Sequence, residues 1–278
     1  MSNPIVDPLV VEPDTADSEL LRIEATHDGA VTLTLKRPAR RNALNAALIA
    51  ALTDAFETLR GAEHVRVVFL AGEGAVFCAG GDLEWMRAGL DMSESDNRDD
   101  ALTLGRMLQA LYELPQLTVT LLHGAAYGGG AGLACACDVA IATADTKLCF
   151  SEVRLGLIPA TISPYVVEAI GARAARRLFA TAEVFDAETA HRLGLVTEVV
   201  PDAAALGAAA QRIATAQREN APSAVAEAKA EVSAVAGRRI DHHLVEETSR
   251  KIARARVSVD GQEGVRAFLE RRKPSWAL

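Results

Sequence analysis

The chain has 278 residues, 50% hydrophobic and 24% charged, with a formal net charge of −8. That length forms one large domain, or a core with an appendage, and buries a substantial core without staples. The composition excludes a wholly disordered or fibrous chain, and the acidic balance argues against a generic polyanion binder, whose affinity rests on basic surface. A small anionic ligand held by a few arginines stays open.

Residues Met1 to about Asp17 carry Asp7, Glu12, Asp14 and Asp17 but no lysine or arginine. They lack the basic and apolar regions of a secretory signal and are too acidic for a mitochondrial presequence. Residues 1–18 are therefore expected to form a flexible acidic leader. No apolar run approaches the ~20 residues of a membrane span, so a soluble cytoplasmic protein is expected. The four cysteines, Cys78, Cys135, Cys137 and Cys149, make no CxxC pair and sit among small apolar residues. They read as buried hydrophobes in a reducing compartment rather than as a zinc site.

In chain order, Ala30 to Leu35 (AVTLTL) alternates like a strand and runs into the turn KRPARRNALN. Asn45 to Leu59 places Leu48, Ala51, Leu52, Ala55, Phe56 and Leu59 at helical spacing. Val65 to Ala71 (VRVVFLA) reads as a buried strand. The acidic stretch DMSESDNRDD, Asp91 to Asp100, shows no core periodicity and reads as an exposed mobile segment. Helical spacing returns from Thr103 to Leu114, where Pro115 stops it. Strands follow at Leu117–Leu122, Val139–Thr143 and Lys147–Phe150. From Ser163 onward the pattern is mostly helical, with Ala203–Gln217 and Pro222–Val235 the clearest cases. The sum is an α/β core, residues 19–200, followed by a helical region, residues 201–278.

Chemistry is expected at two glycine-rich loops, each between a predicted strand and a predicted helix. The first is Phe77-Cys78-Ala79-Gly80-Gly81-Asp82-Leu83 and the second Ala126-Tyr127-Gly128-Gly129-Gly130-Ala131-Gly132. Small residues there expose backbone N–H groups to a ligand, and a helix N-terminus adds its positive end. Two such loops together suit an oxyanion hole; alternatively, the glycines only ease helix–strand packing. The spacing fits neither a dinucleotide fingerprint nor a phosphate loop. The third feature is FSEVRLGLIPA, in which Glu152 is either a buried carboxyl with a raised pKa or a surface partner of Arg154.

Taken together, RPARRNALN, FCAGGDL, HGAAYGGGAGLACACDVAIA, FSEVRLGLIPA, FDAETAHRLGLVTEVV and FLERRKPSW resemble the crotonase (enoyl-CoA hydratase/isomerase) superfamily, in family order across about residues 25–276. The resemblance implies a crotonase-like α/β fold, a spiral of repeated ββα units with a C-terminal helical trimerisation region, commonly stacked as a hexamer. It implies acyl-CoA thioester chemistry through an enolate, with the amides of Gly81 and Gly129 as the oxyanion hole and Glu152 as the proton-exchanging carboxylate. Coenzyme A then enters as part of the substrate, with no metal or redox cofactor and no nucleic-acid or membrane partner. Two-glutamate hydratases of the family carry a first glutamate where this chain has Gly132. A lone glutamate in the second position resembles the Δ3,Δ2-enoyl-CoA isomerases. The wording GGGAGLACACD with FSEVRLGLIPATISPYVV instead resembles bacterial 3-methylglutaconyl-CoA and γ-carboxygeranoyl-CoA hydratases. Their substrates carry a distal carboxylate, for which Arg154, two residues from Glu152 in an extended segment, and Arg87 are the candidate partners.

The expected reaction is hydration of a branched, carboxylated 2-enoyl-CoA. The alternatives are the isomerase and a non-catalytic acyl-CoA-binding or RNA-binding member. By the same resemblance Arg41 and Lys273 are candidates for CoA, Lys273 from a neighbouring subunit. Ala79, Gly80 and Asp82 lie where the loop meets the adenine and pantetheine, and Trp85, Met86 and Tyr127 wall the acyl pocket or pack the core.

Overall fold

A computed structural model describes residues 20–277; the acidic leader expected over residues 1–18 lies outside them. A hairpin of β1 (Leu21–Ala25) and β2 (Ala30–Leu35) leads through the Pro38–Arg40 turn to α1 (Ala46–Arg60) and β3 (Val67–Gly72). The first glycine loop enters α2 (Leu83–Ala88), which is followed by α3 (Glu94–Tyr112). Two strand pairs come next: β4 (Leu117–Leu122) and β5 (Ala125–Tyr127) before α4 (Gly129–Ala136), then β6 (Val139–Thr143) and β7 (Lys147–Cys149). A single 3-10 turn, Glu152–Leu155, precedes α5 (Ser163–Thr181), β8 (Phe185–Asp186), α6 (Ala187–Leu193) and β9 (Glu198–Val200). Helices α7 (Ala203–Gln217), α8 (Pro222–Val235), α9 (His242–Val257) and α10 (Val259–Leu269) complete the chain.

The strands form a six-stranded sheet, β1-β2-β3-β4-β6-β9, and a three-stranded sheet, β5-β7-β8. The large sheet is parallel except for the β1–β2 pair. Each pair, β4 with β5 and β6 with β7, gives one strand to each sheet, which is the repeated unit of the spiral. Strand β3 reads as an unbroken apolar run because both its faces are covered. Val68 and Leu70 pack with Leu48, Leu52, Phe56, Met107, Leu108 and Leu111 of α1 and α3. Val67 and Phe69 pack on the other face with Leu206, Ala209 and Ala214 of α7. The helical region thus begins as a layer of the core. Lys229 then ties α8 to that core through Leu114 O at 2.7 Å, Gln116 O at 2.6 Å and Asp138 at 2.6 Å. Among the described residues no helix is long and apolar enough to cross a membrane.

One expectation is corrected. Asp91–Asp100 is largely exposed, as expected, but most of it is helical: α3 begins at Glu94, nine residues before the first helical residue expected from periodicity. The Ser93 hydroxyl accepts from the Asp96 amide at 3.2 Å, and the Ser93 amide donates to the Asp96 carboxylate at 3.3 Å. This capping box satisfies the first-turn donors without a buried residue, and none occurs in α3 before Met107. Apolar periodicity is blind to such a half-helix. Strands β1, β5, β8 and β9 are also additional to the sequence-based elements, the last two within the stretch read as mostly helical.

Candidate active site

The first glycine loop is held on both sides by backbone pairing. Cys78 donates to Ala125 O at 3.1 Å and accepts from Tyr127 N at 3.0 Å. On its other flank Leu44 donates to Gly80 O at 2.7 Å, and Asp82 donates to Leu44 O at 2.8 Å. In this bridge the pairing groups belong to Gly80 and Asp82, so the amide of Gly81 between them points away from Leu44. Gly80 sits at φ +94, and a Cβ there would lie 2.9 Å from Tyr127 O, so only glycine fits.

Gly128, at φ +48 and ψ −117, caps α4 and donates to Cys149 O at 2.9 Å. Gly129 is the first helical residue, so its amide is one of the orphan first-turn donors. Neither Gly81 N nor Gly129 N has a hydrogen-bond acceptor among the described residues. The loops touch: the Cα of Gly80 lies 3.9 Å from where a Cβ of Gly128 would stand.

Glu152 opens the 3-10 turn after β7 and faces this junction. Its Oε1 lies 3.0 Å from the Cβ position of Gly128, and its Oε2 is buried without a hydrogen-bond partner among the described residues. Burial pushes the carboxyl above the usual carboxylate range, offset in part by the residue's own amide. An unpaired carboxyl beside free amides suits proton exchange at a carbon next to a polarised carbonyl.

The expected pairing of Arg154 with a substrate carboxylate is not supported. Three residues per turn put residues 152 and 154 on different faces. The Arg154 guanidinium donates instead to Ala182 O at 2.6 Å. Arg87 lies exposed in the last turn of α2. Asp82 is committed to its own loop. It caps α2 by accepting from Glu84 N at 2.8 Å and pairs with Arg37 at 2.9 Å, both side chains being largely buried. Burial pushes its carboxyl up, but the Glu84 amide, Arg37 and the Trp85 amide outweigh this and hold it below the usual range. Arg41 is exposed, and its carbonyl accepts from Ala79 N at 3.0 Å, which sets the residue beside the first loop.

Trp85 and Met86 flank the free amide of the first loop. Trp85 Cζ3 lies 3.8 Å, and Met86 Cγ 3.7 Å, from the Cβ position of Gly81. Tyr127 is half-buried between the loops. Lys273, after α10, is exposed and pairs with Glu219 at 3.4 Å. Gly132 sits one turn into α4, its amide bonded to Gly128 O at 2.9 Å. Its φ is ordinary; space is what requires glycine. A Cβ there would collide with Ile162 Cγ2 and lie 2.9 Å from Ile162 Cβ.

The sequence-based reading did not single out Ile162, nor two residues of KRPARRNALN, Arg37 and Asn42. Asn42 is fully buried and braces the first loop by donating to Glu73 O at 2.8 Å and Val76 O at 2.9 Å. Both lie in a basic run that looks exposed in the sequence, which carries no signal of their roles. A cleft of about 630 Å³ lies elsewhere, bordered by Cys135, Cys137, Glu168 and Lys229, and is lined neither by the two glycine loops up to Gly132 nor by Glu152. Among the described residues His242, His243 and Glu246 bring ligand-type atoms within 4.8 Å of one another, all on exposed side chains of α9. Glu246 is already paired there with Arg250.

A family model described as enoyl-CoA hydratase/isomerase matches residues 25–277. The chain belongs to this enzyme family. A putative enoyl-CoA hydratase of Thermus thermophilus is 33% identical over 92% of this chain and 99% of its own length. Two crystal structures share the crotonase fold. An enoyl-CoA hydratase from Shewanella pealeana superposes with a TM-score of 0.90 at 40% identity, covering 94% of this chain and 98% of its own. A putative enoyl-CoA hydratase/isomerase (crotonase) from Legionella pneumophila superposes at 0.87 and 43% identity, covering 93% and 99%.

Proposed function

We propose that this hydratase/isomerase family member adds water to a 2-enoyl-CoA, and that its substrate is 3-methylglutaconyl-CoA or a similar branched thioester with a distal carboxylate. The observation that carries the reading is the unpaired carboxyl of Glu152 at the junction of the two loops. The Glu152 carboxylate takes a proton from water as its oxygen bonds to C3 of the substrate. The electron pair moves onto the thioester oxygen, held by the amides of Gly81 and Gly129. The resulting carboxylic acid returns a proton to C2, and Glu152 ends as it began. One such donor contributes ~3 kcal/mol to a developing oxyanion.

The wall at Gly132 supports the carboxylated substrate. Ile162 fills the space beside it, so this chain supplies no second carboxylate there to orient water. A substrate carboxylate takes over that task. The same wall favours one second reading, a Δ3,Δ2-enoyl-CoA isomerase, in which Glu152 alone moves a proton from C2 to C4. Arg41 beside the first loop suits the CoA phosphates. Assembly as a trimer or hexamer suits the exposed Val257, Val259, Phe268 and Leu269 of the last two helices, with Lys273 reaching a neighbour's CoA.

The test follows the conjugated thioester absorbance of the purified protein with 3-methylglutaconyl-CoA, with a 3-methyl-2-enoyl-CoA lacking the carboxylate, and with a 3-enoyl-CoA. The absorbance is expected to fall with the first. It should fall at least about a hundredfold more slowly with the second, the low end of what a positioned acid–base group contributes. Equal rates on the first two contradict the carboxylated substrate. An absorbance gain with the third, without loss from the others, establishes the isomerase.

A further inference from the structure

The wall formed by α2 and the first half of α3 is tied together by two polar side chains. The Asn97 amide group donates to Gly89 O at 3.1 Å and Ser93 O at 3.2 Å, pulling α3 onto the end of α2. One turn further on, the Trp85 indole N–H donates to the Asp100 carboxylate at 3.0 Å. Both residues are half-buried, and this part of α3 has no buried apolar residue to fix it otherwise. The Trp85 ring in turn rests 3.8 Å from the Cβ position of Gly81, beside the free amide of the first loop. Leu83 and Leu90, on the same segment, are exposed and anchor nothing. The Trp85 ring also packs against the buried core, and the indole N–H bond to Asp100 is the polar tie that fixes how the ring is turned there.

We propose that Asp100 is a specificity-determining positioning residue: it holds the Trp85 ring against the first glycine loop and so sets the acyl space beside the Gly81 amide. The inference rests on the enoyl-CoA reading above. Asp100 touches no reacting atom and acts through Trp85. An indole released from Asp100 rotates about its two side-chain torsions and opens or blocks that space. A bond to a charged acceptor is among the stronger ones.

The experiment compares Asp100→Leu, Asp100→Asn and Trp85→Phe for kcat/KM on a straight-chain and a branched 2-enoyl-CoA that both carry a distal carboxylate. Tryptophan emission is read alongside in a Trp276→Phe background, because the chain has two tryptophans. Asp100→Leu is expected to change the ratio of the two kcat/KM values about tenfold, the order of one lost charge-assisted hydrogen bond. It should also shift the Trp85 emission. Asp100→Asn, which keeps an acceptor, should hold the ratio within about twofold. Adding Asp100→Leu to Trp85→Phe should change the ratio no further, since the N–H is already gone.

Equal losses on both substrates, or effects that add in the double variant, would overturn the proposal and leave Asp100 a helix-stabilising residue. Should Asp100→Leu not fold, Trp85→Phe alone decides: an unchanged ratio overturns the proposal. The emission readout needs no turnover. An unshifted emission sinks the Asp100–Trp85 coupling, whereas absence of turnover by the wild-type chain sinks the proposed function instead.

Discussion

The two glycine-rich loops and the α2–α3 wall border one site but are held by different forces. The loops are pinned by backbone hydrogen bonds to Leu44, Ala125, Tyr127 and Cys149, next to fully buried Phe77, Cys78 and Ala126. The wall is pinned by Asn97 and Asp100 at its rim, with no buried apolar residue in α2 or in α3 before Met107. Backbone pairing inside a core fixes donors to a fraction of an ångström, as an oxyanion hole requires. Side-chain ties at a surface fix shape more softly.

The comparison breaks most severely at Asp82, which joins both regions by capping α2 and pairing with Arg37. Asp82→Ala leaves Arg37 without its partner and is expected to cost about 3–5 kcal/mol, the range for breaking a buried ion pair. Urea unfolding measures it, and a loss under 1 kcal/mol would show that the pair is dispensable. At the loop side, Gly132→Ala drives a methyl into Ile162 and should cost about 1–3 kcal/mol by overpacking. Adding Ile162→Val removes a terminal methyl but keeps Cγ2, so only a minor part should return.

On the wall side, Asn97→Ala is expected to cost ~1 kcal/mol, the size of a part-exposed hydrogen-bond tie. Its clearer signature is faster amide exchange over residues 94–101, with α4 unchanged. Slower or equal exchange there would place the wall on the same footing as the loops.

The smallest effect concerns Glu152 and the sign of its linkage. Its folded-state pKa is raised, so its contribution to stability is full below the ordinary carboxylate range and is lost as pH rises through the raised value. Glu152→Gln removes that loss. The variant should therefore unfold at a higher temperature than wild type at pH 8, with the advantage gone at pH 4. A variant less stable at pH 8 would mean that the carboxylate is paired rather than desolvated.

What was legible in the sequence follows the same division. Helix α1 advertised itself by its apolar period and strand β3 by its unbroken apolar run, both written by burial, whereas α7 and α8 were legible from alanine-rich helix propensity, α8 having no buried residue. The two loops were legible because close backbone approach leaves no room for side chains, as at Gly80 and Gly130. The first half of α3 was not, because a capping box and polar ties hold it and neither has a period. Arg154 was misplaced by assuming an extended backbone where a 3-10 turn begins at Glu152. Ile162 was illegible in principle: it meets Gly132 across thirty residues, and one apolar residue beside a helix start looks like any other.

The central claim is that Glu152 carries the proton at the junction of the two loops, and the pH dependence of kcat/KM for 2-enoyl-CoA hydration tests it most directly. The account predicts a rate that climbs with pH through a midpoint above the usual carboxylate range, as the base form appears. In Glu152→Gln that limb should vanish and the rate fall by about 10²–10⁴-fold, the contribution of a positioned acid–base group. A variant that retains the wild-type rate and the same acid limb would contradict it.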